Sequence, residues 1–201
     1  MIKMKLRKAR SVEVPWMLEK ITKGSVLDVG SCGSPYIEEL ICNNHDVTRV
    51  DIRQFKCLYG SKYIKGNIMD LDPKHLSLFD NVTLISTLEH IGLNGYDLKR
   101  VKEPFELQVE CFRHCLKFVK VGGRLFCTIP YGIFQDGGWF FVYDKKMLDL
   151  LLYNIKPNSL DFFTYNEVKK IYQKCQQDEV PPKGRINRRA CSVACMDILK
   201  T

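Results

Sequence analysis

The recurrence of short apolar runs between amphipathic segments over residues 25–132 constrains this chain more than any other feature. Its first member is Ser25-Val26-Leu27-Asp28-Val29-Gly30-Ser31-Cys32-Gly33-Ser34-Pro35. An apolar run carrying an acid leads into a glycine turn and then an amphipathic segment, which is the pattern of a strand-turn-helix crossover. Further runs follow at 47–52, around Tyr63-Ile64, at 79–86 and after Gly122-Gly123. Strands alternating with helices specify an α/β fold with a doubly wound parallel sheet. Right-handed crossovers then place the glycine turn at the carboxyl edge, where such sheets bind ligands.

Gly30 and Gly33 suit that turn because glycine accepts positive φ and lets a ligand lie against bare backbone. A dinucleotide fingerprint, G-x-G-x-x-G, would need glycines where Cys32 and Pro35 stand, which argues against a nicotinamide or flavin dinucleotide. Asp51 ends the second run about twenty residues beyond Gly30, where a carboxylate can accept both hydroxyls of a ribose.

The first stretch resembles motif I of the class I S-adenosylmethionine-dependent methyltransferases, with Cys32 and Ser34 in place of its second and third glycines. Tyr63-Ile64-Lys65-Gly66-Asn67-Ile68-Met69-Asp70 looks like the family's Gly-Asp segment after strand three, with Asn67 for the usual aspartate. Phe79-Asp80-Asn81-Val82, followed by Leu88-Glu89-His90-Ile91, is similar to motif IV of the type 11 small-molecule methyltransferases. Lys120-Val121-Gly122-Gly123 resembles the family's Lys-Pro-Gly-Gly turn into strand five, with Val121 for proline.

The resemblance implies a Rossmann-like seven-stranded sheet, mostly parallel with an antiparallel last strand, and S-adenosyl-L-methionine as cofactor. Asp28, Gly30, Ser31 and Gly33 would form the cofactor turn, with Asp51 and Ile52 at the ribose. Asn67 and Ile68 would read adenine, and the Ser86 carbonyl would take the methionyl ammonium. His90, just beyond strand four, would be a general base, with Glu89 orienting it or taking the proton itself. The implied reaction is methyl transfer to an oxygen or nitrogen of a small or conjugated metabolite. An RNA or protein methyltransferase and a non-catalytic S-adenosylmethionine-binding module are the alternatives.

Residues 1–24 read as a brace or lid before a cofactor-binding core, 25–132, with the substrate side and last strands in 133–201. A short helix opening at Pro15 is expected over 12–22, and Ser34 is the expected N-cap of the next helix. Periodicity predicts a helix over 104–120, and Asp144 should cap one over 145–153. A strand at 160–164, a helix at 167–176 and a last strand at 190–199 complete the chain. Gly137-Gly138 before a cluster of aromatics suggests a loop that covers an organic substrate, making Tyr131, Trp139 and Tyr143 the candidate substrate contacts, with simple core packing of Trp139 and Phe141 as the alternative. Tyr165 with Lys169 matches a dehydrogenase pair only by chance spacing. Cys111 with Cys115, and Cys191 with Cys195, lack the tight hooks of zinc sites, so no metal is expected.

At 201 residues the chain suits a single domain. No apolar run reaches the ~18–20 residues of a membrane span, and the N-terminus lacks signal-peptide features, so a cytoplasmic location is expected. Nine cysteines without scaffold spacing fit reduced thiols. The net charge of +8 gathers in Lys3, Lys5, Arg7, Lys8 and Arg10 and again from Lys183 to Arg189. Solvated surface is the ordinary reading of such runs and nucleic acid the alternative. A phosphorylated substrate would be steered by Arg185, Arg188 and Arg189.

Overall fold

The computed structural model describes residues 9–54, 60–95, 98–181 and 192–201. Lys3 to Lys8, the tract from Lys183 to Arg189, and Cys191 lie outside the described residues. The elements in order are α1 Arg10–Lys20, β1 Ser25–Val29, α2 Ile37–Cys42, β2 Asp46–Asp51, β3 Ser61–Lys65, β4 Phe79–Ile85, α3 Pro104–Lys117 and β5 Val119–Tyr131. The chain continues through β6 Gln135–Asp136, β7 Phe141–Val142, α4 Lys145–Leu151, β8 Ser159–Asn166, β9 Ile171–Cys175 and β10 Ser192–Leu199.

Eight strands form one sheet in the order β3-β2-β1-β4-β5-β10-β8-β9. The first five are parallel. Strand β10 runs antiparallel between β5 and β8, and β9 folds back along β8. The sheet therefore has eight strands where the sequence predicts seven.

The extra strand occupies the segment expected to be helical, 167–176. Its charged and apolar residues tolerate either state, and pairing with β8 decides between them. Asn166 accepts from the amides of Val168 and Lys169 at 3.0 and 2.9 Å, and Lys170 takes the left-handed conformation that turns the chain back (φ 54°). Tyr165 and Tyr172 then meet across the hairpin with ring centroids 5.3 Å apart, a cross-strand aromatic contact that favours the strand.

Alternation along β1 divides the core. Val26 joins Trp16, Met17, Ile37 and Leu40 under α1 and α2, whereas Leu27 and Val29 join Phe112 and Cys115 under α3. Burial of such side chains stabilises by ~1.5–3 kcal/mol each. The same burial explains why α1 begins at Arg10 and carries Pro15 inside it rather than starting there. A helical φ suits proline, one backbone bond is lost, and Val14, Trp16 and Met17 are buried around it. Helix α2 starts later than expected, after Tyr36, with no side-chain cap. Asp144 does cap α4, accepting from the Met147 amide at 2.8 Å.

Candidate functional site

The carboxyl ends of β1, β2 and β4 converge on the glycine turn. The amides of Gly30 and Ser31 bond the Val50 carbonyl at 2.9 and 3.2 Å, tying the turn to β2. Gly30 has φ 73°, and a Cβ there would stand 2.3 Å from Thr87 Cγ2, so any larger residue would have to displace the Thr87 side chain. Gly33 also has positive φ, but nothing lies within 4 Å of where its Cβ would be. Its bare backbone faces open space.

Two predicted turn residues support the backbone from beneath. Asp28 is fully buried, and its Oδ1 accepts from the Tyr36 hydroxyl at 2.5 Å and the Thr83 hydroxyl at 2.7 Å. Ser31 is also fully buried. Arg49 holds it through Nε to Oγ at 2.9 Å and Nη2 to the carbonyl at 3.1 Å. The Ser31 side chain is thereby committed inward and cannot meet a ligand in this arrangement.

Asp51 ends β2 with its carboxylate fully engaged. Oδ2 accepts from the Cys32 amide at 2.7 Å, and Oδ1 accepts from the Arg53 amide at 2.8 Å. The Arg53 guanidinium adds bonds of 3.1 and 3.2 Å to the two oxygens. Arg53 is the residue that sequence reasoning missed here, because an arginine two places beyond an acid carries no motif signal. Its side chain is 32% exposed, and an ion pair open to water is worth only ~0–1 kcal/mol, so other hydrogen-bond donors can replace the guanidinium at low cost. Ile52, 37% exposed, offers an apolar surface beside the acid. The Gly66 amide bonds the Asp51 carbonyl at 2.9 Å and brings Asn67 and Ile68 alongside. Asn67 caps a single 3-10 turn by accepting from the Met69 amide at 3.1 Å, and Ile68 is buried.

At the tip of β4, Ser86 adopts a left-handed conformation (φ 49°). Its amide donates to Thr128 Oγ1 at 3.0 Å and its hydroxyl to Glu13 Oε2 at 2.7 Å. A carboxylate from α1 thus holds the strand tip, a long-range contact without local sequence signal. Burial raises the Glu13 carboxyl above its ordinary value, against the lowering effect of those hydroxyls.

Glu89 and His90 follow in a second 3-10 turn. Glu89 is buried, and its Oε2 has no hydrogen-bond partner. Burial first, and the Glu13 charge second, raise its carboxyl to about 8, so it is protonated at neutral pH. Burial lowers the His90 ring below 6.5, keeping it neutral there. Nδ1 lies 2.7 Å from the Trp139 carbonyl, which can only accept, so Nδ1 carries the proton and Nε2 presents its lone pair. That nitrogen lies 3.8 Å from Glu89 Oε1.

The β6–β7 hairpin supplies the Trp139 carbonyl. Its tip is set by the Gly137 amide to the Phe140 carbonyl at 3.0 Å and the Gly138 amide to Asp136 at 2.9 Å. Trp139 stacks on His90 with centroids 4.8 Å apart and remains 54% exposed. Tyr131 lines a cleft of about 360 Å³ with Ile133, Phe134, Lys145 and Gln177, and its hydroxyl accepts from Gln177 at 2.8 Å. Tyr143, the third expected substrate contact, is instead fully buried and donates to Gln108 Oε1 at 2.5 Å. Strand alternation after Phe141 turns it into the core. Among the described residues no cluster of metal-ligating side chains occurs, and no helix is long and apolar enough to cross a membrane.

By sequence, no protein-family model and no curated protein matches the chain. By structure, it is similar to 1,6-didemethyltoxoflavin-N1-methyltransferase of Burkholderia thailandensis, solved with 1,6-didemethyltoxoflavin and S-adenosylhomocysteine. The TM-score is 0.64 at 13% identity, covering 96% of this chain and 77% of that one. Magnesium protoporphyrin IX methyltransferase of Synechocystis, with bound S-adenosylmethionine, gives 0.56 at 13% identity over 94% and 76% of the two chains. A Methanosarcina mazei S-adenosylmethionine-dependent methyltransferase gives 0.57 at 15% identity over 93% and 98%. The fold of this chain is therefore the Rossmann-like fold of class I methyltransferases. At these identities the likeness is one of architecture.

Proposed function

We propose that the chain is an S-adenosylmethionine-dependent methyltransferase that acts on an oxygen or nitrogen of a small or conjugated metabolite. The observation that carries this reading is the Gly30–Gly33 turn, open at Gly33 and flanked by Asp51 at the end of β2 and Ser86 just past β4, on a fold shared with proteins solved with that cofactor or its product. The donor set fits: Gly33 would leave room for the ligand, Asp51 would hold the ribose, Ile52 and Asn67 would flank the adenine, and the Ser86 carbonyl would accept from the ammonium. When bound, the cofactor supplies an activated methyl group on a positive sulfur.

Little covalent work is then left to the protein, and positioning a nucleophile with water excluded supplies most of the acceleration. His90 Nε2 takes the acceptor's proton, its lone pair fixed by the Trp139 carbonyl on the opposite ring nitrogen. Glu89, protonated at neutral pH, lies beside that nitrogen with Oε1 3.8 Å away and orients the ring as a neutral neighbour. The exposed Trp139 face and the cleft beside Tyr131 form the acceptor's side of the site.

Calorimetry of the purified chain with S-adenosylmethionine, followed by incubation of the labelled compound with fractionated extract, tests the reading. Micromolar binding and label transfer to a low-molecular-weight fraction are expected. Binding without transfer to any fraction would leave a non-catalytic module, and absence of binding would remove the assignment.

A further inference from the structure

Two contacts join the segment that follows β4 to the β6–β7 hairpin. One is the bond from His90 Nδ1 to the Trp139 carbonyl at 2.7 Å. The other is an ion pair farther along the same segment, Arg100 Nη1 to Asp136 Oδ2 at 2.6 Å. Between them the segment closes on itself. The Val101 amide bonds the Gly92 carbonyl at 2.9 Å, and the Arg100 amide bonds Asn94 Oδ1 at 3.1 Å. Arg100 is thereby brought back beside the residues that follow His90.

On the hairpin side Asp136 is the link. Its Oδ1 accepts from the Gly138 amide at 2.9 Å, one residue before Trp139, while its Oδ2 accepts from Arg100. A single carboxylate therefore shapes the hairpin tip and fastens it. The guanidinium also lies 5.6 Å from the centre of the Phe141 ring, opposite Asp136 across the hairpin. The Arg100 and Asp136 side chains are 37% and 34% exposed, where an ion pair adds little to overall stability. Its consequence is local: it decides where the Trp139 carbonyl stands.

That position matters because a neutral imidazole can carry its proton on either nitrogen, and a hydrogen-bond partner fixes which. On the far side of the ring Glu89 Oε1 is 3.8 Å from Nε2, beyond hydrogen-bond reach. Of these two groups only the Trp139 carbonyl can select the tautomer. A shift of the hairpin tip by about 1 Å would break that bond.

We infer that Arg100 and Asp136 are positioning residues for His90: their ion pair seats the hairpin so that the Trp139 carbonyl holds the proton on Nδ1 and reserves Nε2 for the acceptor's proton. The use of Nε2 rests on the methyltransferase reading above, whereas the seating of the ring does not.

Nitrogen NMR of the full chain with isotopically labelled histidine tests this. His90 is one of four histidines, and His90→Gln assigns its signals. At about pH 7, where burial keeps the ring neutral, the wild type should show a protonated Nδ1 and an unprotonated Nε2. Asp136→Ala removes both carboxylate bonds, and Arg100→Glu sets two carboxylates against each other. Each should lower the ratio of the Nδ1–H to the Nε2–H form about two- to tenfold, the range set by one hydrogen bond of ordinary net strength. Arg100→Lys, which keeps the charge, should retain most of the wild-type ratio. Arg100→Gln replaces either disruptive variant if that protein does not fold. A predominant Nε2–H form in the wild type would overturn the inference, as would a wild-type ratio in the folded disruptive variants. A drop in Arg100→Lys as deep as in Arg100→Glu would also overturn it, since charge would then not be what seats the hairpin. The spectra need neither cofactor nor acceptor, so a failure of the methyltransferase reading shows in the label-transfer assay alone.

Discussion

Replacing Glu89 by glutamine should flatten the pH dependence of stability. In the folded protein burial and the Glu13 charge lift the Glu89 carboxyl from 4.5 to about 8. A group that holds its proton more tightly when folded contributes stability that is fully present below its unfolded value and is lost as pH rises through the folded one. From about pH 5 to about pH 7 this loss comes to about 2–3 kcal/mol at ~1.4 kcal/mol per unit. Glutamine keeps the shape and cannot ionise, so the variant should gain that amount on the wild type across the same window. His90 works in the opposite direction. Burial lowers its ring below 6.5, so its contribution is present above that value and lost as pH falls; the variant retains this effect. Urea titrations followed by tryptophan fluorescence at several pH values measure both curves. Parallel curves for wild type and variant would mean that Glu89 is ionised in the native protein at neutral pH, and the protonated-carboxyl account of the site would be wrong.

Gly30→Ala should lower stability by about 2–3 kcal/mol, combining a left-handed residue with the contact to Thr87. Gly33→Ala, with positive φ but open space, should cost about 1 kcal/mol; equal thermal shifts for the two would show that Thr87 does not crowd the turn. His90→Ala should reduce turnover tenfold or more while S-adenosylmethionine affinity stays within about twofold. A wild-type rate in that variant would end the general-base assignment.

The elements legible in the sequence are those that local pattern determines. Ser25–Val29, Phe79–Ile85 and the capped helix after Asp144 fall where periodicity and turn chemistry place them. Gly30 is readable because a backbone requirement is written directly as a residue type. The eighth strand is not, since Glu167 to Gln176 suits either state and only pairing with β8 settles it. Arg53 on Asp51, Glu13 on Ser86 and Tyr143 on Gln108 were equally illegible. Each depends on which way a side chain turns after the sheet has assembled. The site is thus readable along its backbone and opaque in the partners that tune it.

Strand β10 lies between β5 and β8, both of which precede it in the chain. During synthesis a gap must persist in the middle of the molecule until residues 192–199 leave the ribosome, and the β8–β9 hairpin has no strand of the larger sheet to pair with before then. Maturation is consequently gated by the arrival of that late strand. Shortening the chain from this end would cut through the centre of the protein, not trim its border.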